Sequence, residues 1–388
     1  MTYFPLTESQ AAWKERVAEI ARREIGPRAA AADRERRYPR ESLDALRQAG
    51  LWGLRASPEH GGLGADLLTT CLIVEEIAKQ CPSTAMCYKM HLEASEVLCR
   101  VPTPDQVERF VEPLARGEVL ATVAGSESHG TGDNWTASPV VSTVERVPGG
   151  YRLDGVRKSY VTSAGEATHY FFLCRIGADA PPSAVSLLFV ERDAIEWEIV
   201  EPWEGVGLRG NASSPMRFSG FVPEANRIGA EHTAMADVGG LFRPVLGVTY
   251  AAAYLGIGMG AFEIACREGD RRFPSGARRL DNPINQRRMA ELSARIEAAQ
   301  TMLHAVAAAF DRGELRSFLP VLQAKVLCSE TAVQVTQELM TMFGGTAFAA
   351  HLPFERYFRD ARAGLIMALP NDTAYQNIAS LLFPEATQ

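Results

Sequence analysis

The hydrophobic period of this chain changes twice, and that double change limits the possible folds more than any single motif does. Up to about residue 118, apolar residues recur at spacings of three and four, which predicts helices over residues 8–23, 40–48, 67–79, 83–99 and 104–115. From about Leu120 the period shortens. Segments 141–146, 151–153, 170–175, 186–190 and 216–221 read as strands separated by Gly, Pro and Asp turns, as in a compact antiparallel barrel or sandwich. Beyond Ala230 the helical spacing returns over 236–269, 285–311 and 319–342. The expected organisation is therefore three parts: a helical domain over 1–118, a central β domain over 119–230 and a helical bundle over 231–388. No internal repeat or low-complexity tract interrupts it.

Charge and composition narrow the functional classes. The 388 residues are 46% hydrophobic, enough to fill a sizeable core, and the net charge of -7 with no long Lys/Arg run argues against a nucleic-acid partner. Seven cysteines show no CxxC or metal-type spacing, and an odd number suits reduced thiols. The start of the chain has neither a basic segment nor an apolar run, so the expected location is cytoplasmic. Residues 245–262 carry no charge, but glycines within the stretch and the flanking Arg243 and Glu263 favour a buried bundle helix over a membrane span. The histidines have no ligand spacing, so no metal is expected.

Six landmarks then appear in order. They are the loop from Pro58 to Gly64, the segment Ser126-Glu-Ser-His-Gly-Thr-Gly-Asp133, and the strand Gly155-x-x-Lys158-Ser-Tyr-Val-Thr162 with Ser163. The turn Gly205-Val-Gly-Leu-Arg-Gly210, the pair Gly344-Gly345 and the helix end Arg356-x-x-Arg359-Asp-Ala-Arg362 complete the set. Together they resemble the acyl-CoA dehydrogenase superfamily. The resemblance implies an α+β fold with an N-terminal helical domain, a central β-barrel domain and a C-terminal four-helix bundle that makes a homodimer or homotetramer. It also implies a flavin, FAD by family habit, contacted by Ser126, Gly130, Gly132, Tyr160, Thr162, Ser163, Arg272, Gly344 and Gly345. Glycines at 130 and 132 suit close approach of backbone N–H groups to the cofactor, and Tyr160 replaces the tryptophan usual beside the ring.

The departures from that pattern carry the functional argument. The family's proton-abstracting glutamate falls on Ala368, and its alternative location falls near Leu246; neither residue accepts a proton. The arginine of the adenine contact falls on Asp270, with Arg271 or Arg272 as substitutes, and Asp133 adjoins the pyrophosphate position, where a carboxylate repels phosphate. FMN or a diffusible reduced flavin is therefore an alternative cofactor. The stretch 274–285 is longer than in the dehydrogenases and resembles an insertion in the branch of flavin monooxygenases that share this fold. A lid over the flavin and a surface loop are both open readings of it.

Candidate catalytic residues are His129 in the flavin loop, His91 on the helix that the resemblance places over the flavin, and Asp372 one turn beyond Ala368 if the helix survives Pro370. The resulting expectation is a two-component monooxygenase. Supplied with reduced flavin by a separate reductase, it would hydroxylate a small aromatic (indole-type) or heteroatom substrate. An acyl-CoA dehydrogenase with a relocated base and a non-catalytic flavin-fold protein are the alternatives.

Overall fold

The computed structural model describes residues 4–127, 140–367 and 369–384. The N-terminal helices are α1 (Glu8–Ile20), α2 (Gly26–Arg34), α3 (Arg40–Gln48), α4 (Leu67–Gln80), α5 (Pro82–Arg100), α6 (Pro104–Gln106) and α7 (Glu112–Ala115). A capping box starts α1: the Thr7 hydroxyl accepts from the Gln10 N–H at 3.2 Å while the Gln10 side chain accepts from the Thr7 N–H at 3.0 Å. Helical structure continues past residue 23, where the periodicity reading ended it. A π turn (Ala21–Ile25) leads directly into α2, and Pro27 sits in the first turn of that helix, where its missing N–H leaves no bond unmade. The start of α4 is held by the distant Asp311, whose carboxylate accepts from Leu67 N–H at 2.7 Å and Leu68 N–H at 3.0 Å.

The central strands are β1 (Ala121–Ala124), β2 (Thr143–Val147), β3 (Gly150–Val161), β4 (His169–Ile176), β5 (Ser186–Glu191), β6 (Glu196–Ile199), β7 (Ser214–Pro223) and β8 (Arg227–Ile228). They form one sheet in the order β6-β7-β3-β2-β4-β5-β8, with β1 added beside β4. The pairing is mixed, not purely antiparallel as the spacing suggested: both β1 and β2 run parallel to β4. Alternation of apolar and polar residues reports which face a side chain occupies, not the direction of its neighbour strand. Inward-facing Tyr151, Val161, Tyr170, Phe172, Met216 and Phe218 build this domain's core.

The C-terminal part comprises α8 (Ala234–Asp237), α9 (Gly239–Gly269), α10 (Pro283–Asp311), α11 (Leu319–Phe343), α12 (Gly345–Phe348), α13 (Phe354–Ala361) and α14 (Asn371–Leu382). The uncharged stretch lies in α9, and 89% of its most apolar window is buried among other helices. Two of its glycines let α4 come close: a Cβ at Gly256 would lie 2.7 Å from the Glu75 carbonyl oxygen, and one at Gly260 would lie 2.3 Å from that of Lys79. That close approach joins the N-terminal and C-terminal helices into one core, which also includes residues of β1.

Candidate functional site

The end of β3 gathers several of the residues picked out by sequence. Strand alternation turns Tyr160 outward, 55% exposed, between the buried Ser159 and Val161. Tyr160 borders a surface cleft of about 460 Å³ together with Arg157, Ser159, Trp203, Glu204 and Pro215. Just past the strand, the Thr162 hydroxyl lies 2.8 Å from that of Ser213, and the Thr162 carbonyl accepts from the Thr122 hydroxyl at 2.7 Å. Two paired hydroxyls share one proton between them and leave the other free for a third group. Ser163 is held at φ 60°, its hydroxyl accepting from Tyr38 Oη at 2.9 Å and its N–H donating to the Asn211 carbonyl at 3.0 Å. Helix α5 reaches the same place: Gly210 N–H donates to Ser83 Oγ at 3.3 Å, and the Cys87 thiol lies 3.7 Å from the Asn211 carbonyl. Burial pushes the Cys87 thiol up to about 12, so it stays protonated.

Asn211 itself was missed by the sequence reading. Its side chain is wholly buried and neither its oxygen nor its nitrogen has a partner. A buried amide with both ends unmet is costly unless a bound group or water satisfies it.

A second missed feature fastens Ser126 and Glu127 to the sheet. The Ser126 carbonyl accepts from Ser159 N–H at 2.9 Å, which sets Ser126 next to Tyr160 in the backbone ladder. The neighbouring Glu127 carboxylate accepts from Val141 N–H at 2.6 Å, Ser142 N–H at 2.9 Å and Ser142 Oγ at 2.5 Å, and it pairs with Lys158. Lys158, fully buried in β3, also donates to Ser142 Oγ and to the Leu173 carbonyl, each at 2.6 Å. Burial alone would raise the Glu127 carboxyl; Lys158 and the Ser142 bonds outweigh it and hold the group below its ordinary range. Both residues sit inside the sequence landmarks, but Lys158 is one of several charged residues in β3, so nothing local marked it as the buried one. His129, Gly130, Gly132, Asp133, Asn134 and Trp135 lie outside the described residues, as does Ala368.

Two catalytic assignments are corrected. His91 is fully buried; its Nε2 donates to the Trp52 carbonyl at 2.8 Å and its Nδ1 accepts from Ala121 N–H at 3.0 Å. Both ring nitrogens are thus committed to backbone, and burial lowers its pKa to about 4, so the ring is a neutral brace between α5 and β1. Tyr88 and Ser95, three residues before His91 and four after it on α5, also bond backbone, at Leu51 and His91. Asp372 is exposed on the first turn of α14, a helix that begins only after Pro370, so it does not extend the segment that holds position 368. An acidic residue there stabilises a helix N-terminus.

At the other end of the expected cofactor site, Arg272 is exposed and donates to the Gly276 carbonyl of its own loop at 2.7 Å. Asp270 pairs with Arg278 at 2.8 Å, while Arg279 donates to the Met342 carbonyl at 2.9 Å and covers the Phe343 ring. The long loop is thereby folded against the segment before Gly344, which ends α11 at φ 55°, and Gly345, which begins α12; both glycines are exposed. For a flavin ring, the described residues fit: a free hydroxyl proton at Thr162/Ser213, an outward aromatic at Tyr160 and the unmet Asn211 amide lie around one strand end.

The order of a helical part, a sheet and a second helical part is that of a family of flavin-dependent oxidoreductases. The chain belongs to the acyl-CoA dehydrogenase superfamily: that family's N-terminal, middle and C-terminal domains match residues 7–118, 122–221 and 248–382. FAD is the cofactor of the family. The chain is 28% identical over 373 residues to benzylmalonyl-CoA dehydrogenase of Aromatoleum aromaticum, covering 94% of this chain and 95% of that one. Its fold is similar to that of butyryl-CoA dehydrogenase from Megasphaera elsdenii (TM-score 0.90, 22% identity, 98% and 99% of the two chains). It is similar too to dibenzothiophene monooxygenase from Paenibacillus (TM-score 0.84, 20% identity, 96% and 97%).

Proposed function

We propose that this protein is a two-component flavin-dependent monooxygenase that acts on a small aromatic or heteroatom-bearing molecule, as a homodimer or homotetramer served by a separate flavin reductase. The observation that carries this reading is the stretch from Arg362 to Asn371, which contains no acidic residue where dehydrogenase chemistry needs a base. The nearest following acid, Asp372, is exposed on a separate helix, and His91 is locked to backbone. When bound, reduced flavin supplies the electrons that activate oxygen, a route that needs no strong protein base. The protein's part is to hold and shield the ring. Thr162 and Ser213 would present a hydroxyl proton to the ring edge, Tyr160 an aromatic face, and the glycines at 130 and 132 backbone donors, with FAD favoured over FMN. His129 is retained as the loop residue to test for a role in coupling flavin oxidation to product.

The test is to mix the protein with chemically reduced FAD or FMN in oxygenated buffer, with and without indole, and to follow absorbance and product. Oxygenated product formed in proportion to flavin oxidised is the expected result. A second reading, acyl-thioester dehydrogenation with a base from elsewhere, is favoured by the dehydrogenase relative. Anaerobic bleaching of bound flavin by an acyl-CoA would establish that reading and overturn the first.

A further inference from the structure

Helix α5 is buried from residue 82 to residue 98, and one ion pair on it stands apart from the other buried charges. Lys89 and Glu93, one turn apart and both fully buried, pair with each other against α9. The Lys89 ammonium lies 3.0 Å from the centroid of the Tyr250 ring and 3.4 Å from Met90 Sδ, while one Glu93 oxygen accepts from Thr249 Oγ1 at 3.0 Å. The other oxygen, Oε2, is buried with no partner. Glu75 and Glu96, as deeply buried, have both oxygens bonded: Glu75 to His304 and Gln300, Glu96 to two nitrogens of Arg55. The Glu93 oxygen is thus an exception that packing alone does not account for. A second unmet group adjoins it: Tyr254, whose ring stacks on Tyr250 at 5.7 Å, has a buried hydroxyl without a partner.

The surroundings point to an internal space. Met90 and Tyr250 touch through sulfur and hydroxyl at 3.4 Å, and each keeps 6% of its surface accessible although the helices around them are covered. Leu246, one turn before Tyr250, is only partly buried. On its far side the cluster reaches the stretch around position 368: Gly364 packs against the Tyr254 ring, and Lys325, 6.0 Å from that ring, donates to the Gly364 carbonyl at 2.9 Å and the Leu369 carbonyl at 2.7 Å.

We propose that Lys89, Glu93, Tyr250 and Tyr254 form the polar floor of the substrate cavity, where the free Glu93 oxygen accepts a hydrogen bond from an N–H or O–H group of the substrate. The proposal rests on the oxidoreductase reading above and deepens it. It names the substrate class as compounds carrying such a donor on an apolar body, and it excludes a saturated acyl tail at this position. The three Lys89 protons are occupied by Glu93, Met90 and the Tyr250 ring, so Lys89 has none left for Glu93 Oε2. A site that hydrogen-bonds a substrate donor rejects the isostere lacking it, because the charged acceptor is otherwise left bare in the interior.

The experiment measures binding without turnover. FAD-supplemented protein is titrated calorimetrically with two isostere pairs, indole against indene and phenol against toluene, for the native protein and for the double variant K89M/E93L. The double replacement removes both charges together, and its thermal unfolding is recorded to establish that it folds. The expected result is a preference of about tenfold or more for the donor-bearing member of at least one pair, abolished in the double variant. Equal affinity within both pairs, binding of none of the four, or a preference that survives K89M/E93L would overturn the proposal. A preference without any oxygenated product in the reduced-flavin assay would sink the oxygenase reading and leave this one standing; product without preference would do the reverse.

Discussion

Replacing Glu127 by alanine strikes the clasp that ties Glu127 to Val141, Ser142 and Lys158. The substitution removes the acceptor of three hydrogen bonds, from Val141 N–H, Ser142 N–H and Ser142 Oγ, and it strips Lys158 of its counter-charge. The two side chains are 3% and 0% exposed, so water does not replace the lost partner. Lys158 keeps Ser142 Oγ, the Leu173 carbonyl and the face of the Phe172 ring, none of them charged. Breaking a buried pair from one side costs about 3–5 kcal/mol, chiefly for the charge left behind, whereas exchanging both members for apolar residues is often close to neutral. Glu127→Ala is therefore expected to lose about 3 kcal/mol or more in urea unfolding followed by circular dichroism. The double variant E127A/K158M should recover most of that loss. Flavin affinity, read by fluorescence quenching, should fall in both, because in both the two loop ends are no longer tied together. If the double variant is as unstable as the single one, the buried charge is not what makes the clasp costly to break, and the reasoning fails.

Three further outcomes can be checked directly. Burial raises the Asp360 carboxyl to about 7 in the folded protein, above its ordinary 3.8, so its protonated form is the one that the fold favours. Its stabilising contribution is therefore present at low pH and lost as pH rises to about 7, and the stability of D360N relative to the native protein should improve over that interval in urea titrations at successive pH values. His91→Leu should lose on the order of 1–3 kcal/mol for each of the Trp52 carbonyl and Ala121 N–H left unpaired, while the pH profile of flavin turnover keeps its shape; a lost ionisation near neutrality would restore His91 as an acid or base. Gly260→Ala should destabilise despite alanine's better helix propensity, because its Cβ would meet the Lys79 carbonyl oxygen at 2.3 Å; an unchanged melting temperature would show that α4 and α9 separate at no cost.

The two changes of hydrophobic period were enough to order the layers, because amphipathic spacing survives without any knowledge of neighbours. Local signals failed where the partner is remote. Gly26-Pro27 reads as a breaker, but in the first turn of a helix that follows a π turn it breaks nothing. Helical spacing puts Tyr88, His91 and Ser95 on one side of α5, yet spacing does not say that the opposing surface is the Leu51–Trp52 backbone and β1. At the candidate site, Thr162 and Ser163 were picked out by the resemblance, whereas Ser213 and Asn211 come from the segment just before β7, with Ser213 lying 51 positions from Thr162. The partnership of Glu127 with Lys158 spans 31 positions, and each residue taken alone is an ordinary charge in a motif. Lys89 and Glu93 have helical pair spacing, but only burial separates them from a solvated surface pair.

The clasp also bears on how a chain of this kind can change. Glu127 grips Val141 and Ser142, so positions 14 and 15 apart in the chain are fastened to one another by a single side chain. A stretch whose two ends are fastened in this way can be lengthened, shortened or rewritten with only a slowly growing entropic cost, while the strands on either side keep their register. The stretch between these anchors is thus an exchangeable part. Segments from relatives with different oxygen or thioester chemistry could be inserted between the same two anchors, and the reactivity of the flavin tuned without redesigning the protein that holds it.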